Sequence, residues 1–288
     1  MRPGTQGSAV GPPHHAAPAT LAGPPGPPGP SAGRAPVWRL DGPRGLLVST
    51  EGVWGAGKTT TAELAGEQLR ATGFTVAVLH YGPRPGTIGR LSEVLEAQPL
   101  RSRTGAGGYA HAHHATVDVL LRLCREAHQH QTFYEPALAE HDVVIIDHGV
   151  YSKIAWALTV LTETQPDPPA DETLQRLLDI VAPWFLHPDL AVFLNTPWPL
   201  ARERAIARGR GGGNPAAIER LLFLPRYSAA YRRVLDAHHP RVLPIRVDLR
   251  EAPEVAAEMA AAITGRLCAP LPAPRPRDLD EMSALCPS

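Results

Sequence analysis

Lysine is nearly missing from this chain. Of its 28 basic residues two are lysines, Lys58 and Lys153, and the remaining 26 are arginines. Arg, Ala, Pro and Gly share GC-rich codons, so drift toward arginine accounts for the skew wherever a generic positive charge suffices, and the two retained lysines invite inspection. Cysteine is scarce as well: Cys124, Cys268 and Cys286 show no paired spacing and make neither a disulfide framework nor a metal knuckle, so the cytosol is the expected compartment. Net charge is zero, with 28 acidic residues balancing 28 basic ones, which argues against a nucleic-acid binder working through a broad basic face. Any anion must be met locally. The longest apolar stretch, Ile154 to Leu161, is interrupted by Thr159 and falls far short of the ~20 residues of a membrane span. The first thirty residues lack the apolar core of a signal peptide.

What is present falls into three parts. Residues 1–45 hold 11 Pro and 9 Gly, including Gly23-Pro-Pro-Gly-Pro-Pro-Gly-Pro30, and carry too little apolar side chain to offset ordering entropy. They read as a disordered, polyproline-like tail, the few Gly-Pro-Pro triplets being too short for a collagen helix. Residues 268–288 form a second Pro-rich tail. Between them, 46–267 is one domain. Inside it, short β-rich runs alternate with helical patterns, which predicts an α/β fold with a parallel sheet. The expected strands are 46–49, 74–79, 143–146, 190–194 and 242–247. Val143-Val-Ile-Ile146 is continuously apolar, as a strand covered on both faces must be. Helices are expected near 58–72, 114–140, 171–182, 199–208, 215–237 and 252–266, with 81–113 mostly loop and one short helix near 90–97.

Directly after the first strand comes Gly52-Val-Trp-Gly-Ala-Gly-Lys-Thr59, a complete phosphate-binding loop with a strand before it and a helix after it. Gly52, Val53, Trp54, Gly55, Ala56, Gly57, Lys58, Thr59 and Thr60 would surround the phosphates of ATP. Inward-facing amides and a helix N-terminus attract phosphate oxygens there. Lys58 would reach the β- and γ-phosphates as a compact charge, where a planar guanidinium fits poorly. The Thr59 hydroxyl would ligate Mg²⁺, and Asp147, ending the buried run Asp142-Val-Val-Ile-Ile-Asp147, is the second metal candidate.

No Asn-Lys-x-Asp base-recognition motif and no Leu-Ser-Gly-Gly-Gln signature occurs, which removes support for a GTPase, transporter or motor. The chain resembles the thymidylate kinase family of nucleoside monophosphate kinases over about residues 45–267. The resemblance rests on four pieces: Ser49-Thr-Glu-Gly-Val-Trp-Gly-Ala-Gly-Lys-Thr-Thr60; Pro85-Gly-Thr-Ile-Gly89; Glu135-Pro-Ala-Leu138 with Asp147 eleven residues past its proline; and Pro188-Asp-Leu with Ala201-Arg-Glu-Arg-Ala-Ile-Ala-Arg-Gly209. It implies a P-loop NTPase fold with five parallel strands, and Mg²⁺-dependent transfer of the γ-phosphoryl of ATP to thymidine monophosphate. The family commonly dimerises through its helices, so a homodimer is left open; no nucleic-acid or membrane partner is expected.

Arg204 and Arg208, four apart on one helical face, can converge on one anion. With Arg210 and the glycines at 211–213 they suggest an arginine-rich lid over about 202–226. Such a lid supplies charge to the transition state on closure and excludes water. Because the loop interior Val53, Trp54, Gly55 and Ala56 has no arginine, the resemblance implies the type that carries this charge on its lid.

The acceptor side departs from the family. Asp147-His148 stands where Asp-Arg is usual, and the spacing of an Arg and a Gln on the preceding helix lands on Glu126 and His128. Trp156 replaces a base-stacking tyrosine, and Lys153 a small polar residue. Arg84, His148 and Lys153 are the expected substitute anion grip, with His128 and Trp156 completing the acceptor set. His111, His113 and His114 lack a Cys or carboxylate at ligand spacing, so a metal site there is not expected. Two other readings stay open: a deoxynucleoside kinase, and a nucleotide-binding regulatory protein with a degraded acceptor site.

Overall fold

The computed structural model describes residues 45–80, 90, 94, 101–103, 109–111, 115–164, 167–210, 217–238 and 241–268. The five expected strands form one parallel sheet. In chain order they are β1 (Leu46–Glu51), β2 (Val76–Leu79), β5 (Val143–Asp147), β6 (Leu190–Asn195) and β7 (Val242–Arg246), and they lie side by side as β2-β5-β1-β6-β7. β3 (Arg101–Arg103) and β4 (Tyr109–His111) pair antiparallel in a segment expected to be loop. Three-residue strands carry too little hydrophobic alternation to announce themselves. Arg90 and Val94 are helical, inside the short helix expected near 90–97.

The helices are α1 (Lys58–Ala71), α2 (Ala115–Gln129), α3 (Glu135–Glu140), α4 (Val150–Thr164), α5 (Ala170–Val181), α6 (Trp198–Arg210), α7 (Ala217–Asp236) and α8 (Ala252–Cys268). One continuous helix had been expected over 114–140; instead a π-helical turn at His130–Tyr134 separates α2 from α3. A single π-turn keeps the backbone helical on both sides, so the stretch reads on as helix from residue types alone.

Alternate residues of the central strands feed two apolar clusters. Val48, Val143 and Ile145 pack with Ala62, Ala65 and Leu69 of α1, while Leu47, Val144 and Ile146 pack with Tyr134 and Leu138. All of β5 is buried, as its unbroken apolar run requires.

The topology locates the site. From β1 the chain moves outward to β2, and from β5 it moves the other way, past β1, to β6. Since both crossovers are right-handed by the general rule, their helices cover opposite faces, and a crevice opens at the carboxyl ends of β1 and β5. In the register of that pair Thr50 lies beside Asp147, so the loop after β1 and the carboxylate ending β5 share one edge.

Candidate active site

Three glycines turn the chain from β1 into α1 with positive φ: Gly52 at 142°, Gly55 at 85° and Gly57 at 95°. Lys58 opens α1 and is buried, and its Nζ donates to the carbonyls of Gly52, at 2.8 Å, and Val53, at 3.0 Å. The lysine thus folds back over its own loop. Burial pushes its ammonium down to about 8, against the opposing attraction of Asp147 and Glu51; Lys153 and Arg208 add to the lowering. Asp147, Glu51, Lys153 and Arg208 therefore all lie within electrostatic range of Lys58.

Thr59 Oγ1 donates to Asp147 Oδ2 at 2.5 Å, and Asp147 Oδ1 is buried without a hydrogen-bond partner. A hydroxyl and a carboxylate with one unused oxygen form a hard donor set that suits Mg²⁺, which takes one or two protein oxygens and completes its shell with phosphates and water. His80 Nδ1 stands 3.6 Å from the same Asp147 oxygen, and its Nε2 is 2.6 Å from Glu63. The next residue, His148, has φ 79°, a left-handed conformation that a side chain adopts only where its surroundings enforce it.

The rest of the loop leans on the helices that follow β6. A Cβ at Gly55 would overlap the carbonyl oxygen of Ala201, so the first turn of α6 abuts the loop backbone directly. Trp54 packs against Tyr227 and Phe223 of α7, with ring centroids 4.8 and 5.8 Å apart. Arg204 is half-buried on α6, Arg208 is exposed one turn on, and Arg210 ends the helix. The glycines at 211–213 lie outside the described residues.

On the acceptor side, Lys153 Nζ is 3.6 Å from Glu126 Oε2, with the carboxylate fully buried. Burial pushes the Lys153 ammonium down to about 8, Glu126 opposing and Arg125 and Arg122 adding to the shift. Arg125 and Arg122 escaped the sequence reading. Arg125, one residue before the position where an arginine was sought, is buried beside Glu126. Arg122 is held by both oxygens of Asp118, each at 3.1 Å, and lies over the Trp156 ring with its guanidinium carbon 5.1 Å from the centroid. The signal available was spacing: 122 and 125 stand one turn apart on a helix whose buried face also presents Glu126. His128, half-buried, lies about 200° around α2 from Glu126 and one turn past Arg125. Arg84, His113 and His114 lie outside the described residues, and the structure describes no side chain for His111.

The phosphate loop and Asp147 thus meet at the carboxyl ends of β1 and β5, and α4, which carries Lys153, follows directly from β5. A family model described as Thymidylate kinase matches residues 50–252, a span that takes in all of them. The chain belongs to the thymidylate kinase family. A protein named Thymidylate kinase from Solidesulfovibrio magneticus is 30% identical over 227 residues, covering 77% of this chain and 100% of that one. Another of that name, from Xanthomonas euvesicatoria, is 34% identical over 168 residues, which is 58% of this chain; the match spans 63% of the length of that relative. The solved thymidylate kinase of Candida albicans superposes with a TM-score of 0.57 at 19% identity, covering 77% of this chain and 92% of that one, a likeness of fold.

Proposed function

We propose that the protein transfers the γ-phosphoryl group of ATP to a nucleoside monophosphate, with thymidine monophosphate as the acceptor to which its family points. The observation that carries this reading is the Thr59–Asp147 hydrogen bond beside Lys58, which brings donor loop and metal pair together at the carboxyl edge. The loop amides and Lys58 hold the β- and γ-phosphates, and Thr59 and Asp147 would hold Mg²⁺. When bound, the cation neutralises charge on the transferring group. Arg204, Arg208 and Arg210 approach from α6 to stabilise charge on the phosphoryl oxygens and shut out water. Lys153, Arg125 and Arg122 provide cations between α2 and α4 for the acceptor, with Trp156 beneath Arg122 and His148 at the strand end. Transfer is direct and in line, with no covalent enzyme intermediate.

Among the described residues no helix is long and apolar enough to cross a membrane. A cytoplasmic enzyme whose partners are ATP, a small nucleotide and a second copy of the chain fits this reading. A coupled ATP-consumption assay over nucleosides and nucleoside monophosphates tests it. Thymidine monophosphate should be turned over, thymidine should not, and Lys58→Ala should abolish the signal. Turnover of thymidine alone would reverse the assignment to a nucleoside kinase.

A further inference from the structure

Glu51 ends β1 immediately before the phosphate loop, is fully buried, and is not itself among the residues assigned to either substrate. Three donors converge on its Oε2: the Ser152 amide at 3.0 Å, the Ser152 hydroxyl at 2.9 Å and the Tyr231 hydroxyl at 2.6 Å. The Tyr231 oxygen also accepts the Gly52 amide at 3.0 Å and is in short contact with Ser152 Oγ. Tyr227 donates to the Ser152 carbonyl at 3.2 Å. A Cβ at Gly149 would overlap the other Glu51 oxygen, so the turn leaving β5 also closes on this carboxylate.

The three elements joined here have different duties. Gly52 begins the donor loop. Ser152 lies in the first turn of α4, and its amide is shared between the Gly149 carbonyl at 3.1 Å and Glu51, so Glu51 caps that helix from another strand. Lys153 is the next residue, and Trp156 is one turn further along. Tyr231 belongs to α7, the helix against which Trp54 packs. Burial raises the Glu51 carboxyl above the ordinary carboxylate range, opposed by its hydrogen bonds and by Lys58, so the arrangement keeps this polar group out of water at a cost that plain packing would not incur.

We propose that Glu51 is a positioning residue: through Tyr231 and Ser152 it fixes the acceptor-bearing helix α4 against the phosphate loop, so that donor binding is transmitted to Lys153. For the acceptor this rests on the functional reading above; for the linkage between loop and helix it does not.

Tyr231→Phe removes one hydroxyl and keeps the ring packed against Tyr227 and Phe193. Glu51→Gln removes the charge and keeps the shape. Each full-length variant is compared with wild type by amide exchange, with and without a non-hydrolysable ATP analogue and Mg²⁺, and by steady-state kinetics. In wild type the analogue should slow exchange both in 52–60 and in 150–156. In Tyr231→Phe the first protection should persist and the second disappear. Turnover should fall about tenfold, the equivalent of one buried hydrogen bond, with the KM for ATP within about threefold. A hydroxyl that merely stabilised the fold would lower the melting temperature and leave the transmitted protection intact. Protection at 150–156 retained in both variants, or absent from wild type, overturns the proposal. Absence of turnover in wild type would instead defeat the functional reading, and the exchange result would still decide this one.

Discussion

The contact between the phosphate loop and α6 can be measured with three glycine-to-alanine substitutions. Gly55, Gly57 and Gly73 all have φ between 85° and 97°, so each alanine incurs the left-handed penalty, roughly 1–2 kcal/mol. A Cβ at Gly57 or Gly73 meets nothing within 4 Å. At Gly55 it overlaps the Ala201 carbonyl oxygen and lies 2.9 Å from the carbonyl carbon, backbone atoms that cannot swing aside as a side chain does. Forcing them apart adds about 1–3 kcal/mol, the range for overpacking. Urea denaturation should therefore show Gly73→Ala and Gly57→Ala losing about 1–2 kcal/mol and Gly55→Ala about 2–5 kcal/mol. Since α6 carries Arg204 and Arg208, displacing its first turn should also lower kcat in Gly55→Ala, while Gly73→Ala, outside the site, should keep the wild-type rate. A Gly55→Ala protein as stable and as fast as Gly73→Ala would refute the abutment of loop and helix.

Lys153→Met should raise the acceptor KM with ATP binding little changed; an unaltered KM would remove Lys153 from the acceptor site. Wild-type acceptor affinity should also fall as pH rises through about 8, the Lys153 value. The acceptor phosphate is already a dianion above about pH 6, so between pH 7 and 9 the protonated lysine fraction falls about tenfold, and that component should vanish in Lys153→Met. Folding stability moves the opposite way: the unfolded lysine keeps its proton to about 10.4, so this group makes the protein more stable as pH climbs from 8 toward that value, which denaturation at pH 8 and 10 would detect. Arg208→Ala should reduce kcat by about 10²-fold with the ATP KM nearly constant, as expected for a donor acting mainly in the transition state; an effect on KM alone would make it a ground-state contact. Asp147→Asn still accepts from Thr59 and loses its charge, so the Mg²⁺ concentration giving half-maximal rate should rise; an unchanged titration would separate Asp147 from the metal.

The parallel sheet was readable because its signals are local. A buried strand is an uninterrupted apolar run, and the phosphate loop is a contiguous motif whose glycines are required by positive φ. Thr59 and Asp147, 88 positions apart in the chain, were paired from the logic of a metal site, and the structure places them in hydrogen bond. The cluster around Lys153 was harder to read because its identity lies in neighbours distant in sequence. That Lys153 faces Glu126, or that Arg122 covers Trp156, depends on how α2 packs across α4, which periodicity constrains only to a face. Glu51 illustrates the same limit. It stood in plain view as a charge inside a buried run, yet its partners Ser152 and Tyr231 are 101 and 180 positions away.

The aromatic packing has a practical use. Trp54 lies within the phosphate loop in contact with Tyr227, and Trp156 lies beneath Arg122 on the other side of the crevice. On the proposed function, the molecule carries two built-in optical probes, one for each substrate. In a chain whose other three tryptophans are replaced, Trp54 emission would follow nucleotide arriving at the loop and Trp156 emission would follow the acceptor displacing or tightening Arg122, so the order in which the two substrates bind could be timed in a stopped-flow mixer without any label.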